Sequence, residues 1–123
     1  MKVCEAISRI DVLKPNRYSV EEKVKWLSNL DFSIKKDVID THDGGDKINF
    51  EGYTVDKDND TTMLVPEPYD DLYIKWLESQ IDYYNGEYRK YNNSITAYND
   101  SYSAFEKYYN RTYMPISKGK FKF

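Results

Sequence analysis

The sequence predicts a mainly α fold, a small helical bundle with one long C-terminal helix and a small β-hairpin insertion. Apolar residues recur every three or four positions over most of the chain, as on one face of a helix. The 123 residues, 40% hydrophobic and 32% charged, match a single globular core. We therefore expect one helical domain over residues 1–115, followed by an extended basic tail over residues 116–123.

Two helices are predicted at the start of the chain. The first covers residues 3–13, and Pro15 stops it because the residue before a proline is pushed out of the helical region. The second covers residues 20–38 and begins at a capping box, in which the Ser19 hydroxyl accepts the N–H of Glu22. Its apolar stripe comprises Val20, Val24, Leu27, Leu30, Ile34 and Val38.

The second helix is expected to end near Thr41, where a glycine-containing turn permits a left-handed residue. His42, the single histidine of the chain, is predicted to interact with the last helical carbonyls and the helix dipole. A metal or acid–base cluster with the neighbouring aspartates is the alternative, but no second ligand motif lies at zinc-type spacing. We expect no metal and no cofactor.

The middle of the chain predicts a hairpin at about residues 47–65. Residues 47–51 alternate polar and apolar, residues 61–65 are rich in strand formers, and Pro66 ends the second strand. The polar loop between the strands opens like a calcium loop at Asp56. Thr61 occupies the position that needs glycine in such a loop, so a solvated hairpin loop without calcium is the prediction.

Residues 70–111 carry the strongest pattern. Apolar residues step by three and four over roughly five heptads, which predicts a continuous helix about 60 Å long. Gly86 and residues 92–94 are the weak points, and two helices meeting at 92–94 are the alternative. The stripe consists of Ile74, Leu77, Ile81, Tyr84, Tyr88, Tyr91, Ile95, Tyr98, Tyr102, Phe105 and Tyr109.

Tyrosine is the unusual component, with 13 residues in the chain. Tyrosine combines a rigid apolar ring with a polar tip and is enriched at interfaces. The helix of residues 20–38 is only about 30 Å long, so part of the stripe is expected to face another subunit. The predicted interface residues are Tyr84, Tyr88, Tyr91, Tyr98 and Tyr102, with Lys118, Lys120, Phe121, Lys122 and Phe123 in the tail.

The tail is too short to fold alone. Its alternation of lysine with phenylalanine suits an extended strand, which gains main-chain hydrogen bonds by joining an existing sheet edge. We expect it to leave its own domain and dock on a neighbouring subunit or on another protein of the same assembly; a frayed basic terminus that contacts nothing is the alternative. Other candidates for chemistry are weak: Cys4 stands beside Glu5, which does not favour a thiolate. An enzyme is not expected, nor a membrane-spanning segment.

Four segments of the chain are distinctive together: residues 40–45 (DTHDGG), 64–70 (LVPEPYD), 80–88 (QIDYYNGEY) and 109–115 (YNRTYMP). They resemble the corresponding segments of the head–tail connector (adaptor) proteins of tailed bacteriophages and prophages. With the order of elements, the resemblance covers essentially the whole chain. It provides no catalytic residues.

The resemblance implies a virion structural protein of the phage neck, made in the host bacterial cytoplasm. It implies a homo-oligomeric ring, commonly dodecameric, that binds the portal protein and the next neck or tail protein, with DNA passing through the lumen. An acidic lumen suits passage because like charges keep the phosphates from adhering. The alternative from the residues alone is a small helical binding module that captures a protein partner through its Tyr-rich face.

Overall fold

The computed structural model describes residues 1–116 as a four-helix bundle. Its helices are α1 (Val3–Leu13), α2 (Val20–Asp37), α3 (Leu72–Tyr84) and α4 (Tyr88–Thr112), and short 3-10 turns lie between α2 and α3. The mainly helical fold, the long C-terminal helix and the bounds of α1 are as predicted. Ser19 caps α2 by accepting the Glu22 N–H at 3.1 Å, as the capping box predicts.

The helices run alternately up and down, with α3 in the centre and in contact with each of the other three. Lys14 at the end of α1 pairs with Asp82 near the end of α3, so α1 and α3 run in parallel. Asp31 in α2 contacts Tyr73 at the start of α3, while Tyr84 at its end stacks on Trp26. Because α3 is enclosed on several sides, its buried residues are not limited to one stripe.

The predicted hairpin is wrong, because no strand occurs between residues 47 and 65. Main-chain groups that would have paired across a hairpin bond elsewhere: the Val3 N–H donates to the Thr61 carbonyl at 3.0 Å, and the Val65 N–H donates to the Tyr73 hydroxyl at 2.8 Å. Only part of the predicted pattern is buried: Met63 and Val65 belong to the helical core, whereas Ile48 is 38% exposed and Phe50 is half-buried.

The continuous helix over residues 70–111 is also wrong, although the segment is mostly helical. The break falls at Asn85–Glu87, where Gly86 adopts a left-handed conformation with φ +75°. Residues 92–94, the other weak point, lie inside α4. The chain reverses at Gly86, so the second half of the stripe packs back on α3.

The end of the described chain stays on its own domain. The Asp43 N–H donates to the Met114 carbonyl at 2.8 Å, and the Ile116 N–H donates to the Thr41 carbonyl at 2.8 Å. The prediction that the tail leaves its own domain from residue 116 onward is therefore wrong at Ile116. Lys118, Lys120, Phe121, Lys122 and Phe123 lie outside the described residues. No helix within residues 1–116 combines the length and apolar character needed to cross a membrane.

Candidate functional site

The reversal at Gly86 divides the predicted tyrosine stripe into two surfaces. Tyr84, Tyr88 and Tyr91 gather where α3 meets α4. Tyr98 and Tyr102 lie further along α4, facing the gap between α4 and α2. A stripe that the sequence presents as one continuous face thus belongs to two separate parts of the bundle.

The first surface is an aromatic cluster at the end of the bundle. Tyr84 stacks on Trp26 with ring centroids 5.4 Å apart and planes 3° apart. Tyr83 meets Tyr91 edge-on at 5.4 Å, and Tyr18 meets Trp26 edge-on at 5.3 Å. We call this surface the aromatic end, and it comprises Tyr18, Trp26, Tyr83, Tyr84, Tyr88 and Tyr91.

Much of the aromatic end is open to solvent. Tyr88 is 63% exposed, and Tyr83 and Tyr84 are about half exposed. The same end of the bundle holds the C-terminus of α1, where Val12 is 80% exposed and Leu13 is also exposed. Apolar side chains clustered in this way mark interaction surfaces in soluble proteins.

The second surface is a groove of about 470 Å³ between α2 and α4. Its floor includes Trp76 of α3, which packs against Tyr98 with ring centroids 5.1 Å apart. Tyr98 is largely buried, whereas Tyr102 is half-buried beside it. We call this surface the α2–α4 groove, and its lining comprises Asn29, Leu30, Ser33, Asp37, Trp76, Tyr98, Asn99 and Tyr102.

A buried carboxylate holds the irregular segment 48–66 on the bundle. Asp31 of α2 is fully buried and accepts hydrogen bonds from the Tyr53 hydroxyl, from the Tyr73 hydroxyl at 2.7 Å and from the Leu64 N–H at 3.2 Å. Burial raises the pKa of Asp31 to about 6, and the three donors offset part of that rise. Burial beside Asp31 also raises the pKa of both phenols, so the hydroxyls remain donors.

A second buried carboxylate joins three helices. Asp82 of α3 is 1% exposed, accepts the Ser94 hydroxyl of α4 at 2.8 Å and pairs with the Lys14 ammonium at 2.6 Å. The sequence analysis missed both carboxylates. Each lies next to an apolar stripe in the sequence, where a charged residue is expected to face solvent. The available signal for Asp31 was its spacing, four residues after Leu27 and three before Ile34.

His42 follows the 3-10 turn Ile39–Thr41, and α2 itself ends at Asp37, four residues before the predicted end near Thr41. Its Nδ1 lies 2.7 Å from the Val38 carbonyl, and its Nε2 lies 2.7 Å from the Asn110 side chain. The ring is buried against Tyr109 at 4.7 Å. Among residues 1–116, no three histidine, cysteine or acidic side chains are arranged to hold a metal ion.

The predicted calcium-like loop has another arrangement. Asp58 accepts hydrogen bonds from the Thr54 N–H at 2.8 Å and from the Thr61 hydroxyl at 3.1 Å. Its carboxylate therefore closes a local turn, and the Thr54 N–H lowers the pKa of Asp58. This is the side-chain chemistry by which aspartate stabilises turns in general.

The chain matches no protein-family model, no curated protein and no solved structure. The functional argument therefore rests on the surfaces described above.

Proposed function

We propose that this chain is a structural subunit that assembles with other chains through the aromatic end, as a head–tail connector (adaptor) of a tailed phage. In that role it forms a ring in the virion neck, joins the portal to the tail and lets DNA pass. The observation that carries the proposal is the exposed cluster of Tyr83, Tyr84 and Tyr88, at the same end of the bundle as the exposed Val12 and Leu13. Interface cores are enriched in aromatic residues of this kind.

The charge of the chain supports this role. A net charge of −3 gives no general attraction to nucleic acid, as suits a ring through which DNA slides. The subunit needs no reaction centre for this work. The sequence segments that resemble connector proteins support the same assignment, and one of them, residues 80–88, contains three tyrosines of the aromatic end.

A helical binding module that captures one protein partner is the second candidate. The position of the aromatic end favours it: the cluster lies at one end of the bundle, where a single partner can cover it. A closed ring requires two different surfaces on each subunit, one for each neighbour. The solution mass of the full chain distinguishes the two candidates.

The test is native mass spectrometry of the full chain and of a Tyr83→Ser/Tyr88→Ser variant. We expect the unaltered chain to form a closed oligomer and the variant to remain monomeric, because the substitutions remove the exposed rings. Tyr113→Ser is the matched control, since Tyr113 is an exposed tyrosine at the opposite end of the bundle, and it should assemble normally.

Two results would contradict the proposal. Equal assembly of the unaltered chain and the Tyr83→Ser/Tyr88→Ser variant would exclude the aromatic end as the interface. A monomer that also fails to bind a purified phage portal ring would favour the binding module over the connector.

A further inference from the structure

The α2–α4 groove is separate from the aromatic end and exists because α4 packs mainly on α3. Residues from α2, including Leu30, form one wall, and residues from α4 form the other. Trp76 of α3 lies between them. The groove has a volume of about 470 Å³, which falls in the range of small-molecule sites in proteins.

The aromatic part of the groove is held in place before any ligand arrives. The Trp76 Nε1–H donates to the Trp26 carbonyl at 3.0 Å, which fixes the indole between α2 and α4. Tyr98 packs on the indole at 5.1 Å, and Tyr102 stacks on Tyr98 at 6.0 Å with planes 26° apart. A rigid aromatic platform loses little conformational freedom when a ligand binds.

The polar part of the groove is a rim of exposed, mostly neutral side chains. Asn29 and Ser33 come from α2 and Asn99 from α4, with Asp37 at one end. Amides and hydroxyls both donate and accept hydrogen bonds, whereas a carboxylate accepts only. Burial and the nearby acidic groups raise the pKa of Tyr102 to about 12, so its phenol also remains a donor.

We propose that the α2–α4 groove binds a neutral carbohydrate. A pyranose ring has an apolar C–H face that packs on Trp76 and Tyr102, and hydroxyls at its edge that pair with Asn29, Asn99 and Asp37. The lining contains no lysine or arginine, so it does not suit a phosphate or nucleic acid. Its polar rim does not suit the apolar face of an amphipathic helix.

The experiment is an NMR titration of the full chain with maltotriose, cellotriose and chitotriose, following the two indole N–H resonances. Sugar concentrations up to about 10 mM suffice, since a site with a Kd of about 1 mM is then about 90% occupied. We expect one of these sugars to shift the Trp76 resonance saturably and to leave the Trp26 indole of the aromatic end unchanged.

Two variants test the assignment. Tyr102→Ala should weaken binding about fivefold or more, because it removes one aromatic face from a half-buried position. Tyr88→Ala, an exposed tyrosine of the aromatic end, should leave sugar affinity unchanged. Both variants are expected to fold, which their NMR spectra report directly.

Three results would overturn the proposal. They are no saturable shift with any of the three sugars, equal weakening by Tyr102→Ala and Tyr88→Ala, and a shift of the same resonances by a proline decapeptide alone. The last would assign the groove to an extended peptide, which aromatic grooves also recognise. None of these results bears on assembly through the aromatic end, so the two proposals fail independently.

Discussion

The buried tyrosines around Asp31 and the exposed tyrosines of the aromatic end use the same side chain in opposite ways. At Asp31, Tyr53 and Tyr73 turn their hydroxyls inward, and both donate to one carboxylate. At the aromatic end the rings make the contacts, as in the stack of Tyr84 on Trp26.

The difference shows which atoms of tyrosine matter in each place. A buried carboxylate needs donors, and removing one leaves an unsatisfied acceptor. An exposed hydroxyl can exchange its protein partner for water, so its loss costs little. We therefore expect hydroxyl deletions to destabilise the protein at Asp31 and ring deletions to matter at the aromatic end.

The largest expected effect is that of Tyr73→Phe. The Tyr73 hydroxyl donates to Asp31 Oδ1 and accepts the Val65 N–H, so its removal leaves that oxygen and that N–H without these partners, although Asp31 Oδ2 keeps its own donors. We expect the free energy of unfolding to fall by about 2–4 kcal/mol. Urea denaturation measures this free energy, and Tyr88→Phe, which removes the hydroxyl of an exposed tyrosine, is the control. A loss equal to that of the control would show that the buried hydroxyl is dispensable.

The pH dependence of stability is the second test. The pKa of Asp31 rises from an ordinary 3.8 to about 6 in the folded chain because of burial. The pKa of Asp31 is higher in the folded chain than in the unfolded chain. Its contribution to the free energy of unfolding is therefore fully present below about pH 4 and is lost as the pH rises through about 6. The difference of about two units corresponds to about 3 kcal/mol.

The measurement compares unfolding free energies of the unaltered chain and Asp31→Asn between pH 4 and pH 8. Carboxylates with a lowered pKa, such as Asp58, make stability rise with pH, the opposite of Asp31. They affect both proteins equally, so subtracting one unfolding free energy from the other removes their contribution. If Asp31→Asn does not fold, NMR titration of the Asp31 carboxyl gives the pKa directly. Titration at its ordinary value would contradict the expected desolvation.

The comparison also explains how much of this fold the sequence could predict. Local signals were sufficient for α1 and for the start of α2, where Ser19 and Glu22 form the cap within one turn. The hairpin prediction was wrong because neither the alternation of residues 47–51 nor the strand formers of residues 61–65 specify which groups the main chain will pair with. The main-chain donors of this segment bond to Asp31 and Tyr73, and those contacts are set by the tertiary arrangement.

The candidate surfaces were predictable in part. The stripe identified Tyr84, Tyr88 and Tyr91 of the aromatic end but not Tyr83. Its regular spacing also concealed the reversal at Gly86, which separates Tyr84 from Tyr98. A spacing of three and four between apolar residues marks a helix face, but it does not show where one helix ends and the next begins if both keep that spacing. Tyr18 and Trp26 were missed as members of the aromatic end because they belong to another part of the chain.

The reversal itself gives a smaller prediction. Gly86 has φ +75°, and an added Cβ would meet no atom within 4 Å, so Gly86→Ala tests backbone strain alone. We expect a loss of about 1 kcal/mol in unfolding free energy. Gly86→Asn should lose less, because asparagine tolerates this conformation better. An unchanged or raised stability in Gly86→Ala would mean that the turn adopts another conformation in solution.

The smallest expected effect is that of Tyr84→Phe, and comparing it with Tyr84→Leu completes the comparison with Tyr73. Tyr84→Leu removes the ring that stacks on Trp26 at 5.4 Å, and we expect a loss of about 0.5–1.5 kcal/mol beyond the area effect. Tyr84→Phe keeps the ring and should change stability by less than about 0.5 kcal/mol.

Urea denaturation followed by tryptophan fluorescence measures both Tyr84 variants, since Trp26 lies in the stack. At Tyr73, by contrast, removal of the hydroxyl by itself is expected to be costly. If Tyr84→Phe destabilises as much as Tyr84→Leu, the Tyr84 hydroxyl contributes to stability. The aromatic end would then resemble the Asp31 network, and its rings would be less free to serve as an interface.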